Sequence, residues 1–393
     1  METVYFDNNA TTRTADEVRE AMLPFFGELY GNPSSMHMFG GSVAKHLSAA
    51  REQVAAFINC SPDEIIFTSC ATESDNAAIR GAADWFGKDM KVITTAVEHP
   101  AVLQPARRLK AQGFTEVELP VDGVGQIDLE QLRDELKGTK NALVSVMWAN
   151  NETGTVFPIR EVAEIAKEFG ATMHTDAVHI GGKERIYVQK VPVDTLAISG
   201  HKFHAPKGIG ALYVRKGTKL KPFMIGGHQE SGRRAGTENV PYIAGLAKAC
   251  ELAMSNLDAE AEMVRAMRDR LEAGILATCP DVRINGDRKH RLPNTLNVSF
   301  EYIEGEAIAY RLSDLGICIS TGSACASGSL DPSHVIRAMG VPFTAVHGSV
   351  RFSFSRYNTM DEVEYVLDKL PPVIRTLREM SPFGPGTVPT TFT

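Results

Sequence analysis

A lysine in the stretch "LAISGHKFHAPKGIGALYV" stands where solubility gives no reason for one. Lys202 occupies a small-residue turn between two strongly apolar runs. Partial desolvation there lowers an ammonium pKa and makes the neutral amine accessible. Such an amine forms a Schiff base with a carbonyl group. Lys207, after Pro206 in a Gly-flanked turn, reads instead as a solvated side chain. A second unusual position is Cys325 in "ISTGSACASGSL", surrounded by Ser, Thr, Ala and Gly. Core cysteines sit among bulky apolar neighbours and are inert. Cys325 reads as an exposed thiol on a mobile arm, available as a nucleophile.

Further polar residues fall at the carboxyl ends of strand-like runs, where open α/β sheets bind ligands. "EIIFTS" runs into Cys70, Ala71, Thr72 and Glu73, and "KVITTAV" into Glu98 and His99. "ALVSVMW" runs into Asn150, Asn151 and Glu152, and "ATMHTDAV" carries Asp176 and ends at His179. "VDTLAIS" ends at Ser199, ahead of His201 and Lys202. These five clusters are expected to meet on one rim. Thr72 with Glu73 and Asp75 fits a plain helix cap, although the same free N–H groups would receive a phosphate. His99, just before Pro100, is either an ordinary cap neighbour or an imidazole held neutral for stacking and proton transfer. "HTDAVH" admits a rival reading, since His174, Asp176 and His179 are metal-ligand types at short spacing. A metal-dependent hydrolase, however, has no use for Lys202. A lysine imine, an anion-binding helix start, a stacking histidine and a buried aspartate together describe a pyridoxal phosphate site. The Ala71 and Thr72 N–H groups would take the phosphate, and Asp176 the pyridinium nitrogen. That cofactor also gives Cys325 a use, the removal of part of a bound amino acid's side chain.

The elements that must position these groups follow from periodicity. Short β-branched runs alternate with helical periods from about residue 62, with Pro100 suited to a first helical turn and Gly113 to a stop. The alternation predicts a mostly parallel sheet covered by helices on both faces. Near residue 255 the texture shifts toward a smaller α+β unit. We place a large cofactor-binding domain at residues 15–255. Residues 1–14 and 256–380 form the small domain, which carries the cysteine loop at about 319–331, and residues 381–393 are a loose Pro/Gly/Thr-rich tail. The 393 residues suffice for large cores, and 43% hydrophobic with 23% charged is ordinary for a globular protein. Net charge −7 with both signs interspersed gives no nucleic-acid-binding face. The run Arg288, Lys289, His290 and Arg291 reads as a solvated turn. No apolar run is long enough for a membrane span. The N-terminus has neither signal peptide nor Arg-rich presequence, so a cytoplasmic setting is expected. Six cysteines without a C-x-x-C pair give neither a disulfide framework nor a zinc ribbon.

Long motifs now carry a resemblance: "YFDNNATT", "YGNPSSMH", "FTSCATES", "VEHPAVL", "MWANNETGT", "HTDAVH", "SGHKFHAPKGIGALYV", "GGHQESGRRAGTEN", "STGSACASGSLDPSHV" and "VRFSFSRY". Almost end to end, the chain resembles the cysteine desulfurases of the class-V aminotransferase group, particularly the NifS branch and its IscS relatives. The resemblance implies the fold-type-I architecture of pyridoxal phosphate-dependent transferases, with a seven-stranded sheet, and a homodimer. It implies conversion of L-cysteine to L-alanine, with the sulfur left as a persulfide and passed to an iron–sulfur scaffold or other acceptor. On matching positions, Lys202 is the Schiff-base lysine, Cys325 the persulfide-forming nucleophile and transient iron–sulfur ligand, and His99 the stacking acid–base residue. Asp176 matches the partner of the pyridine nitrogen, and Asn151 a donor to the phenolic oxygen that also lies by the substrate. Ala71, Thr72, Ser199 and His201 match phosphate-binding positions, and Thr237 a threonine reaching the phosphate of the other subunit. Arg351 matches the arginine that grips the substrate carboxylate. His179 stands where the family usually has glutamine. It could still donate to the phenolic oxygen, but an ordinary imidazole titrates near neutrality, so pH-dependent colour and activity are expected. Ala326 and Ser231 are further departures, the first replacing Thr or Ser and the second arginine. A selenocysteine lyase is the nearest alternative activity.

Overall fold

The computed structural model describes residues 3–321 and 331–384. Its centre is a seven-stranded sheet, in the order Ile65–Thr68, Gly210–Val214, Thr195–Ser199, Thr172–Asp176, Asn141–Ser145, Met90–Thr95 and Thr115–Leu119. All neighbours are parallel except Gly210–Val214, which is antiparallel on both sides. Two antiparallel steps bring Ile65–Thr68 back to the common direction. The five strands carrying polar clusters therefore end on the same rim. Central strands such as Thr195–Ser199 are buried at every residue, as expected where helices cover both faces. The edge strand Thr115–Leu119 escapes the sequence pattern because Glu116 and Glu118 interrupt its apolar residues.

A second core lies over the four-stranded antiparallel sheet of Ser320–Thr321, Ser349–Ser353, Thr295–Phe300 and Val282–Asn285. Leu296, Val298, Phe300, Val350 and Phe352 fill it from the sheet, Leu271 and Leu370 from helices. Val4–Tyr5 pairs in parallel with Ile317–Cys318, so the N-terminus belongs to this half. One unbroken helix, Val240–Thr278, serves both cores. Ile243, Leu246 and Ala253 pack into the first, and Val264, Leu271 and Ile275 into the second. Residue 255 thus falls inside a continuous helix. Val335, Ile336 and Met339 pack into the large core, although they follow the small-sheet strand Ser320–Thr321 in sequence.

The basic run at 288–291 is an exposed turn through Arg288, Lys289 and His290, as expected from sequence, and departs from that reading only at Arg291. Arg291 and Arg288 both pair with the buried Glu272, at 2.6 and 2.5 Å, and Arg291 is itself buried. A single buried carboxylate in the long helix draws the Arg291 guanidinium inward, while Arg288 reaches it from the exposed side.

Close packing at the rim depends on Gly210. A Cβ there would stand 2.7 Å from the Ile198 carbonyl and 3.0 and 3.2 Å from backbone atoms of Cys70 and Ala71. The missing side chain lets the antiparallel strand press against the start of helix Ala71–Phe86. Gly210→Ala should lower the unfolding free energy by about 1–3 kcal/mol, measured by urea denaturation. An unchanged midpoint would show slack at this contact.

Candidate active site

Lys202 ends the short turn Gly200–Lys202, directly after strand Thr195–Ser199. The turn is pinned from several sides. Phe203 and Ala205 donate to the Gly200 carbonyl, and Thr12 donates through both its amide and its hydroxyl to the His201 carbonyl. Lys183 Nζ donates to the Lys202 carbonyl at 3.2 Å. The Lys202 ammonium donates to the carbonyl oxygens of Asn9 at 2.6 Å and Ala10 at 3.0 Å. Its charge acts on His99, His179, His201 and Asp176, which puts each within electrostatic range of it.

Asp176 closes strand Thr172–Asp176 and is buried. Burial pushes its carboxyl up to about 6, against the pull of the Val178 N–H and the Lys202 ammonium. A cation set against it would restore the carboxylate. His99 caps helix Pro100–Ala111, its Nδ1 accepting from the Ala101 N–H at 3.1 Å. Pro100 offers no N–H, so the cap bond falls to the next residue. That bond places the neutral ring's proton on Nε2. Burial, then Lys202 and His334, hold the imidazole down at about 4. His201, by burial and by Lys202 and Lys207, lies at about 4 as well, with Nδ1 3.2 Å from the Thr11 hydroxyl. Both rings are neutral at physiological pH.

His179 is also buried, and burial pushes its pKa well below the ordinary value, helped by Lys202, Arg351, His99 and Lys183. The expected titration near neutrality is corrected: burial, reinforced by the charges of Lys202, Arg351 and Lys183, keeps this imidazole neutral. Ser231, the exposed departure, has φ +58 in a turn whose buried neighbour Glu230 pairs with Arg51 at 2.6 Å. Ala326 lies outside the described residues.

The plain-cap reading of Thr72, Glu73 and Asp75 fails. The cap position is Cys70, and among the described residues no side chain caps the helix. Glu73 turns back to the Ser69 N–H at 2.8 Å and to Arg234 at 2.8 Å. Asp75 is fully buried, with Oδ1 3.1 Å from His174 Nε2. His174 Nδ1 meets the Thr195 hydroxyl at 2.8 Å, so neither ring nitrogen is left for a metal. Among the described residues no cluster of three or more His, Cys, Asp or Glu side chains could hold one. Ala71 packs with Val178 and Ala197, bringing the uncapped helix start beside the ends of the Asp176 and Ser199 strands.

Arg351 comes from the small sheet. Its Nη2 pairs with Asp7 at 2.9 Å and its Nη1 donates to the Asn151 carbonyl at 3.0 Å, while its Nε is buried without a partner among the described residues. Asn9 also donates to the Asn151 carbonyl, at 3.0 Å. Asn151 and Ser199 are buried at the rim. Thr237 is the exception: it is exposed in the loop before the long helix, and among the described residues no hydrogen bond joins it to the others. Cys325 lies outside the described residues.

Sequence reading missed the segment 7–12, although its motif was in view. Asp7, Asn9, Ala10, Thr11 and Thr12 touch Arg351, Asn151, Lys202 and His201. The polar run "DNNATT" directly after a buried strand was the available signal. The residues fit pyridoxal phosphate: an amine held by backbone carbonyls, a buried carboxylate across from it, neutral imidazoles, and an uncapped helix start suited to a dianion.

The comparisons agree with this chemistry. The chain matches the aminotransferase class-V family over residues 4–366. It is 54% identical to the cysteine desulfurase of Trichormus azollae over 98% of this chain and 96% of that one. It is 52% identical to the cysteine desulfurase NifS of Azotobacter vinelandii over 99% and 97%. A solved NifS-like protein superposes with TM-score 0.90 at 41% identity, covering 95% of this chain and all of the other.

His179 gives a prediction whose sign follows from linkage. Unfolded, the imidazole binds a proton near 6.5, whereas folded it does so only at lower pH. Its contribution is therefore present above about 6.5 and lost as pH falls. Relative to His179→Gln, the wild type should lose up to about 1.4 kcal/mol per pH unit below that value, read by urea unfolding from pH 7 to 5. Above pH 7 the difference should be constant; a break there would mean that the folded ring titrates near neutrality.

By profile and by identity over its full length, the chain belongs to the class-V aminotransferase family and to its cysteine desulfurase group.

Proposed function

We propose that this enzyme is a pyridoxal phosphate-dependent cysteine desulfurase. It converts L-cysteine to L-alanine, leaves the sulfur as a persulfide on Cys325, and passes it to an iron–sulfur scaffold protein or other acceptor. The carrying observation is that Lys202, His99 and Asp176 stand at strand ends on one rim of the large sheet and Arg351 of the small sheet bonds the Asn151 carbonyl of that rim, in a chain 52–54% identical to named cysteine desulfurases.

When bound, the cofactor supplies a conjugated electron sink for charge at the substrate Cα. The chain's residues supply the rest. Asp176, drawn to its anionic form, would hold the pyridine nitrogen protonated, and the Ala71 and Thr72 amides with Ser199 and His201 would hold the phosphate. Arg351 would receive the substrate carboxylate through guanidinium N–H groups other than those that meet Asp7 and the Asn151 carbonyl. Asn151, His179 and His99 would help to hold and orient the cofactor. Lys202 moves the Cα proton, and His99, with its proton on Nε2, serves as a further acid–base group. In the sulfur step the Cys325 thiolate attacks the substrate Sγ. A sulfur–sulfur bond forms, the Cβ–Sγ bond breaks with its electron pair going to carbon, and protonation there gives the alanine methyl group.

Two copies suit this reading. Thr237 is exposed and distant in bonding from its own site, and Leu23, Phe26, Tyr30, Met36, Met38 and Ile225 present exposed apolar surface. A cytoplasmic setting suits a persulfide-forming thiol, because thiols stay reduced there. Among the described residues no helix is long and apolar enough to cross a membrane.

Hydride reduction of the holoenzyme followed by peptide mass spectrometry should find the pyridoxyl group on Lys202; its presence on another lysine would sink the assignment. Cys325→Ala should keep the cofactor's visible band while lowering sulfur transfer at least a thousandfold, on the scale of losing a catalytic nucleophile. Undiminished transfer would leave that thiol without a role, and preferential turnover of selenocysteine would favour the lyase reading.

A further inference from the structure

Building on the function proposed above, we propose that His334 is a positioning residue for His99, acting through the peptide bond between Glu98 and His99. His334 opens the short helix His334–Ala338, and the nearest preceding strand among the described residues is Ser320–Thr321 of the small sheet. Its Nε2 lies 2.9 Å from the Glu98 carbonyl oxygen. A carbonyl only accepts, so Nε2 carries the hydrogen and donates it.

The residue before His99 is thereby held at both ends. The Glu98 carboxyl accepts from the Met147 N–H and the Thr95 hydroxyl, both at 2.9 Å. Asn150 donates to the Val97 carbonyl at 3.0 Å. His334 fixes the one remaining carbonyl before His99, and the peptide plane it sets determines where the His99 ring leaves the chain. His334 is itself rooted. Ser333 accepts from the Val335 and Ile336 N–H groups and donates its hydrogen to buried Glu152 at 2.5 Å. Two adjacent residues thus grip two of the rim clusters, the one ending in His99 and the one containing Asn151. The electrostatic influence of His334 on both His99 and Glu152 agrees with this placement. Arg351 and Asn151 keep their own hydrogen bonds, which do not pass through His334.

The test uses two variants that differ in reach. Gln places an amide N–H where Nε2 lies; Asn, like the Nδ1 edge, stops short of it. In the holoenzyme, His334→Asn should lower kcat for alanine formation roughly tenfold, the scale of one hydrogen bond. KM for L-cysteine should stay within about twofold. Visible circular dichroism of the bound pyridoxal phosphate, which reports the ring's stacking partner independently of turnover, should weaken. His334→Gln should restore both kcat and dichroism to near wild type, and thermal midpoints of the two variants should agree. Equal loss in both variants, or wild-type kcat and dichroism in His334→Asn, overturns the inference while leaving the function standing. A wild type that shows no cofactor band after reconstitution overturns the function and this inference with it.

Discussion

The site is organised around one ammonium and the two carbonyl oxygens of Asn9 and Ala10 that receive it. A lysine at the end of a buried strand is costly to place unless its charge is met. Here it is met by backbone oxygens near the start of the chain, 193 and 192 residues away in sequence. The same segment ties the two halves together: Asn9 bonds Thr295 of the small sheet and the Asn151 carbonyl of the large rim, and Asp7 braces Arg351. Backbone carbonyls can release an amine without being left charged, which suits a group that must leave its resting partners to react. The segment positions the amine without competing with it as a carboxylate would.

Electrostatics divides the rim into layers. Around the ammonium stand three imidazoles kept neutral by burial and by the cations they share. Behind them lie Asp75, Asp176 and Glu98, all buried and all with raised pKa values, Glu98 at about 8. Glu98 is pushed up by burial despite two hydrogen bonds, with Asp176 adding to the effect. Three acids in mutual range cannot all ionise in such a medium. Asp176 is the one least raised and the one nearest the ammonium's influence, so it is the one a positive ring nitrogen would call into its charged form.

Much of this was legible in the residues. Strand–helix alternation announced the parallel sheet, and reading only the carboxyl ends of its strands produced His99, Asn151, Asp176 and Lys202. What stayed hidden was non-local. The antiparallel strand Gly210–Val214 reads like any buried strand, because direction leaves no mark on composition. His334 and the segment 7–12 reach the rim from outside the alternating pattern, and nothing local reveals a partner 190 or more residues away. Arg291 looked solvated because its partner, Glu272, lies on the long helix, a separate element 19 residues earlier in the chain. His179 shows the same limit in another form: residue type gives the ordinary titration, but only packing reveals the burial, and after it the neighbouring cations, that displace it.

The helix Val240–Thr278 has a thermodynamic consequence. Its 39 residues make a rod of about 58 Å with one half seated in each core. Melting either core strips solvent protection from half of that rod, and the exposed half cannot hold itself together as well in water. Loss of order in one half therefore propagates along a shared backbone into the other. The polypeptide has two hydrophobic interiors but behaves as one cooperative unit, coupled by a spine that neither interior can give up alone.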